Sequence, residues 1–172
     1  MDSADEMDIL TLESSPENDA ALRTKAEKVQ KIGPEYKKIT QEMFQLLRDG
    51  KGIGLAGPQV GRNERIFVTE VDKDQPRVFI NPTIVGTSEE TGKYEEGCMS
   101  LPGVFADVTR PLEIRVQAWN EKGRPFTLDA EGLLARVIQH ENDHLEGILF
   151  IDRLSEPKRA SILRKYHKKR HN

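Results

Sequence analysis

Around residue 140 a stretch with strong helical periodicity also carries side chains suited to holding a metal, and this pairing constrains the fold most. Residues 130–147 place Leu133, Leu134, Val137, Ile138 and Leu145 at helical spacing on one side. The same stretch contains His140-Glu141-Asn142-Asp143-His144. Positions i and i+4 share a helix face, so both imidazoles can reach one ion while Glu141 flanks it. Neutral imidazole nitrogens suit zinc, iron, cobalt or nickel, and a carboxylate beside the ion can take a proton from water. A chance surface pairing is the simpler account. It leaves unexplained why two of the four histidines fall at this spacing with Glu in the flanking position.

Two ligands hold a catalytic ion poorly, so a third must come from elsewhere. The extended metzincin pattern finds its glycine at Gly147, but its third histidine position is Phe150. Glu156 opens a basic helix too near in sequence to fold back. The remaining soft ligand is Cys98, the only cysteine, preceded by Gly97 at an expected strand-to-turn junction. A lone Cys is more often a small buried hydrophobe. Beside a two-histidine site that lacks a ligand, the balance moves toward coordination. Cys98, His140, His144 and a water would form an open tetrahedral site.

A third segment, Gly52-Ile53-Gly54-Leu55-Ala56-Gly57-Pro58-Gln59, follows a helix and precedes a strand. It has no Lys-Ser/Thr of a P-loop, and a dinucleotide fingerprint needs the opposite order of elements. Glycine lets another backbone approach closely, which suits an extended peptide against residues 52–55 with Gln59 as amide donor. Taken alone, the loop reads as a plain connector.

The rest of the pattern is α+β. A helix is expected over residues 34–49, with Ile39, Met43, Leu46 and Leu47 on its apolar side and Gly50 as its stop. Short strands are expected at 65–71, 77–80, 83–85, 93–96, 106–109, 113–119 and 126–129, paired as antiparallel hairpins. A third helix, 156–169, carries a narrow stripe of Ile162, Leu163 and Tyr166. Residues 1–19 are expected to be loose at first, with 1–8 flexible, then extended around 9–12. No repeat or linker divides the chain, so residues 1–172 are expected to form one domain, its antiparallel sheets packed around the helix carrying the histidine motif. Residues 156–172 form its basic C-terminal helix and tail.

Composition excludes several classes. The 172 residues hold no run of about 18 apolar side chains, so a membrane span is excluded. The acidic N-terminus lacks the basic flank and apolar stretch of a signal peptide, and one cysteine permits no internal disulfide. A reducing compartment, the cytoplasm, is expected. A net charge of −3 conceals a gradient: residues 1–20 carry −7 and residues 155–172 carry +6. Such a tail can face polyanions, although a solvated helix face explains it as simply.

Together, GIGLAGPQ (52–59), EGCMS (96–100) and QHENDH (139–144) resemble the peptide deformylase family. That family carries Gly-x-Gly-Leu-Ala-Ala-x-Gln, Glu-Gly-Cys-Leu-Ser and Gln-His-Glu-x-Asp-His in this order. The likeness runs from about Ile9 to the C-terminal helix. Gly57 departs from the second Ala, with the expectation of a looser loop, and Met99 departs from Leu.

The resemblance implies removal of the N-formyl group from the initiator methionine of nascent polypeptides. It makes Cys98, His140 and His144 the metal ligands and Glu141 the general base. Gln59 and the Met99 N–H become oxyanion donors. Ile53, Gly54 and Gly97 would bond the peptide main chain, and Val137, with the stem of Arg136, would line the methionine pocket. Fe(II) is the implied native ion, with zinc, nickel or cobalt able to substitute. No specific DNA is implied as a partner; the ribosome is the expected target of the basic helix. A zinc endopeptidase using His140, Glu141 and His144 is the alternative. A metal-stapled nucleic-acid-binding module ranks below, since a structural zinc normally takes four protein ligands and only three are found.

Overall fold

In the computed structural model, residues 7–71 and 74–171 are described. Among the described residues there are four α-helices, α1 (Pro16–Arg23), α2 (Glu35–Asp49), α3 (Gly132–Leu145) and α4 (Glu156–Arg170), and seven strands. The strands are β1 (Gly54–Ala56), β2 (Ile66–Thr69), β3 (Arg77–Thr87), β4 (Thr91–Cys98), β5 (Leu101–Pro111), β6 (Glu113–Trp119) and β7 (Pro125–Glu131). One sheet of order β1-β2-β3-β6-β7 and a separate β4-β5 ribbon are antiparallel throughout. The α+β architecture matches the expectation.

Alternation explains the sheet. Along β6, Ile114, Val116 and Ala118 are buried while the residues between them face outward. They meet Phe67 and Phe79, stacked with ring centroids 4.6 Å apart, and Ala135, Ile138 and Leu145 of α3. A second cluster packs Met43, Phe44 and Leu47 of α2 on Leu55, Ile66, Val68 and Ile80. A third joins Leu101, Val104 and Val108 of β5 to Phe150, Ile162 and Tyr166. Met99 packs against the second cluster and Cys98 against the third, so the Cys98–Met99 step lies where the two meet.

Several expectations are corrected. The strands expected at 77–80 and 83–85 are one strand, β3, carried through Asn81 and Pro82 by a register shift. Asn81 takes φ 50° there, and its amide bonds both Val29 N–H (2.8 Å) and Val29 C=O (2.9 Å). Residues 130–131 end β7, so the histidine helix, α3, starts at Gly132 rather than Ala130. Of residues 1–19, expected loose and then extended, residues 16–19 begin α1, capped by the Ser15 hydroxyl on the Asn18 N–H. Of the segment expected to be flexible, residues 1–6 lie outside the described residues, and Met7 is packed against the α2 cluster. Gly50 caps α2 without a left-handed turn, which falls on Lys51 at φ 55°. A Cβ on Gly50 would lie 2.2 Å from Met99 Cε, so a side chain there would displace the end of the methionine beside the cysteine.

The stripe on α4 is a packing face. Ile162 and Tyr166 are buried, and Tyr166 Oη donates to Leu12 C=O at 2.5 Å. Tyr166→Ala should therefore destabilise the fold by about 3–5 kcal/mol through cavity formation. Tyr166→Phe should cost about 1–2 kcal/mol through the unsatisfied carbonyl. Urea unfolding measures both, and equal values near zero would mean that α4 is not part of the core.

Candidate active site

Helix α3 presents His140, Glu141 and His144 toward β1 and the β4-β5 ribbon. The ligand-capable atoms of Cys98, His140 and His144 all lie within 4.8 Å of one another, and Cys98 Sγ is 3.3 Å from His144 Nε2. The three residues expected to converge do so. His140 Nδ1–H donates to Glu96 Oε1 at 2.9 Å, which fixes the tautomer and leaves Nε2 for the cleft. Gln59 accepts the Ala56 N–H on Oε1 (3.0 Å), so its NH₂ must face Cys98 Sγ (3.4 Å) and Ser100 Oγ (3.1 Å).

Electrostatics fit a cation here. Burial opposes charge on His140, but hydrogen bonds to Cys98 and Glu96 outweigh it and hold the imidazole well above its ordinary value. His144 is driven well below by burial and by the neighbouring His140. Burial pushes the Glu141 carboxyl up to about 7, and its Oε1 is buried without a hydrogen-bond partner. Two imidazoles and a thiol forming a close triangle suit a borderline divalent ion such as zinc or iron. The unpartnered carboxylate of Glu141 lines the same cleft, and a buried carboxylate of this kind has the chemistry of a proton acceptor.

These side chains open onto a cleft of about 460 Å³. One wall is the edge strand β1. The Ile53 carbonyl already accepts the Glu70 N–H (2.9 Å), so by antiparallel alternation the N–H and C=O of Gly54 face the open edge. A Cβ on Gly54 would sit 2.5 Å from Glu141 Oε2 and 2.8 Å from Val137, so a side chain there would crowd the Glu141 carboxylate. Gly97, Val137 and Leu133 also line the cleft, with Ile53 at its rim.

Residues 11–160 match the family model for polypeptide deformylase. The peptide deformylase of Treponema pallidum is 47% identical over 145 residues, covering 84% of this chain and 89% of its own. That of Neisseria meningitidis is 46% identical over 153 residues, covering 88% and 91%. The chain belongs to the polypeptide deformylase family. Among solved structures, the Legionella pneumophila peptide deformylase superposes with a TM-score of 0.87 at 36% identity, covering 96% of this chain and 95% of that one. The Ehrlichia chaffeensis peptide deformylase in complex with actinonin gives 0.89 at 36% identity, covering 96% and 98%.

As a deformylase, the chain is a metal-dependent hydrolase that removes the N-formyl group from peptides, and its departures from the family motif have local causes. Gly57 is buried, and a Cβ there would meet the Glu64 carbonyl at 2.7 Å and that of Arg62 at 3.0 Å. The glycine admits a tight 62–64 turn, whereas the sequence suggested a looser loop. Met99 lays its thioether across Gly50 and Gly52. Arg136, expected to offer its stem to substrate, lines the cleft, but its guanidinium is bound to Glu96 Oε2 (2.6 Å), Val108 C=O and Gly92 C=O.

Sequence reasoning missed the support beneath the histidines. Arg110 grips Glu96 in bidentate fashion (2.7 and 3.0 Å) and reaches Asp143 (2.9 Å), which Arg153 also binds. The signal was available: Val104, Val108 and Arg110 share the inward face of β5, and an inward arginine demands buried carboxylates. Burial alone would raise the Glu96 carboxyl, yet hydrogen bonds from His140 and Arg110 hold it at about 2 against an ordinary 4.5. A depressed carboxylate stabilises the fold above its unfolded-state pKa and loses that contribution as pH falls through its folded value. Glu96 should thus contribute about 3 kcal/mol at neutral pH, lost between about pH 4.5 and 2. Glu96→Gln should remove this acid limb from unfolding measured against pH; an unchanged limb would place the titration elsewhere.

Proposed function

We propose that this deformylase acts on formylmethionyl peptides with Glu141 as general base and Gln59 and the Met99 N–H as oxyanion donors. The observation that carries the reading is the convergence of a fixed Gln59 NH₂, an unpartnered Glu141 oxygen and three ligand-capable atoms on one cleft. Cys98, His140 and His144 would hold a divalent ion, which would supply Lewis-acid activation of water and of the formyl oxygen. Glu141 takes the proton from the attacking water as its oxygen bonds to the formyl carbon. The amide NH₂ of Gln59, oriented in advance by Ala56, donates to the oxygen that gains negative charge, as does the Met99 N–H. Glu141 then hands the proton to the amine nitrogen as the C–N bond breaks, releasing formate and a free N-terminus.

The peptide lies along β1, extending the sheet by bonding to Gly54, with Gly97 on the opposite wall. Ile53 bounds the cleft mainly through its side chain, its carbonyl being taken by Glu70. Val137, with Leu133, lines the methionine pocket, and the stem of Arg136 forms its far side. Gly54 keeps the β1 wall clear of Glu141, since a Cβ there would lie 2.5 Å from its Oε2, and family membership disfavours the endopeptidase alternative. Fe(II) is the native ion in this reading, with zinc, nickel or cobalt as substitutes. A thiolate ligand needs a reducing compartment such as the cytoplasm and leaves the site prone to oxidation.

Formate release from formyl-Met-Ala-Ser, compared with cleavage of a longer unformylated peptide, tests the reading; peptide-bond cleavage without formate would overturn it. Glu141→Gln should lower turnover about 10²–10⁴-fold at unchanged metal content. Gln59→Leu should cost about 10²–10³ in kcat with little change in KM. An effect confined to KM would make Gln59 a positioning residue.

The basic helix docks the enzyme on the ribosome in this reading. Of its seven Lys and Arg, Arg159, Lys169 and Arg170 bond Asp152, Gly103 C=O and Thr11. Lys158, Arg164, Lys165 and Lys168 are exposed and have no ion pair among the described residues. Removing the helix would strip Ile162 and Tyr166 from the core, so the test is charge neutralisation. Changing these four residues to Gln should leave formyl-peptide turnover unchanged and abolish co-sedimentation with ribosomes at low salt. Equal sedimentation of both proteins would end the docking reading.

A further inference from the structure

All four histidines of this chain fall in i, i+4 pairs: His140 with His144, and His167 with His171. The second pair lies outside the active site, at the C-terminal end of α4 and its cap. The two rings are adjacent, their centroids 4.4 Å apart. A third donor comes from the far end of the chain, since Glu13 Oε2 lies 3.1 Å from His167 Nδ1. The ligand-capable atoms of Glu13, His167 and His171 all lie within 4.8 Å of one another.

We propose that Glu13, His167 and His171 form a second, surface metal site that takes a first-row divalent cation such as Zn²⁺ or Ni²⁺. Two imidazoles and one carboxylate are a borderline donor set, matched to zinc or nickel and poorly matched to calcium or magnesium, which prefer oxygen alone. The site is exposed, so water completes the coordination. The C-terminal end of a helix carries partial negative charge, which favours a cation at His171. Lys168, Lys169 and Arg170 oppose it. Two of these charges are turned to other partners, Lys169 to Gly103 C=O and Arg170 to Thr11 Oγ1. The ion is thus held more weakly than one in the buried Cys98 site, and it exchanges without disturbing that site.

Its effect would be mechanical. The Glu13 side of the site belongs to the segment whose Leu12 N–H bonds Ser100 C=O (2.8 Å) and whose Leu10 N–H bonds Gln59 C=O (2.7 Å). A bound ion would staple this segment to α4 beside the existing Tyr166–Leu12 hydrogen bond.

The test uses the untagged full chain with its active-site metal loaded, titrated with Zn²⁺ or Ni²⁺ and analysed for metal after equilibrium dialysis. The wild-type protein should bind one equivalent beyond the catalytic one and gain thermal stability as it does so. His167→Gln, His171→Gln and Glu13→Gln should each weaken that equivalent by about tenfold or more, since even outer partners of metal ligands are worth about 10–100-fold. All three should retain formyl-peptide turnover and the catalytic metal. A wild-type protein that binds no second equivalent, or one that the two histidine variants leave in place, would overturn the site. Full affinity in Glu13→Gln alone would overturn the three-ligand assignment.

Discussion

The site depends on one buried carboxylate. Glu96 receives Arg110 on both oxygens, Arg136 on one and His140 Nδ1–H on the other, with almost no access to water. An isolated carboxylate could not be buried there. Surrounded by two guanidiniums and an imidazole, it ties α3 to the β4-β5 ribbon at the level of the histidines. Arg110 extends the tie to Asp143, one residue before His144. Breaking such a network by removing a single partner leaves an uncompensated buried charge, a loss of about 3–5 kcal/mol. Replacing all of it with apolar side chains could leave the fold as stable, but nothing would then orient His140.

This tie also sets where the thiol goes. Glu96 and Cys98 belong to one strand, yet the register shifts between them: Glu96 faces Ala106 while Cys98 faces Leu101. The partner strand accommodates the shift around Gly103, which takes φ 86°. Bulges of this kind re-aim side chains next to functional sites. Here it puts Cys98 against His144 while Glu96 holds His140, so the two histidines of one helix turn are addressed by two residues of one strand.

The sequence was most legible where chemistry and periodicity coincided. The histidine helix, the cysteine and Gln59 each carried a residue type with few other uses, and α2 and β6 had full periods of buried side chains. Legibility failed where a residue's role depended on contacts distant in sequence. Asn81-Pro82 reads as a break, because the Val29 backbone that satisfies Asn81 lies 52 residues away. Helix α1 buries only Leu22, too little to make a period, and only Ser15-Pro16 marked its start. Asp143 stood inside a recognised motif, but its role becomes visible only once Arg110 is known to face inward.

The same reasoning accounts for the narrow stripe on α4. Three apolar residues on a helix with seven cations look insufficient for packing when the helix is considered alone. The missing surface comes from the opposite end of the chain: Leu12 lies in the same cluster as Ile162 and Tyr166, with Leu10 and Leu163 packed against it. The segment carrying Leu10 and Leu12 forms no strand, yet its N–H groups are satisfied by the carbonyls of Gln59 and Ser100. It thereby links the C-terminal helix to the backbone of the Gln59 turn. Its orientation is set by these hydrogen bonds and apolar contacts, with the Tyr166 hydroxyl on the Leu12 carbonyl and Glu13 beside His167.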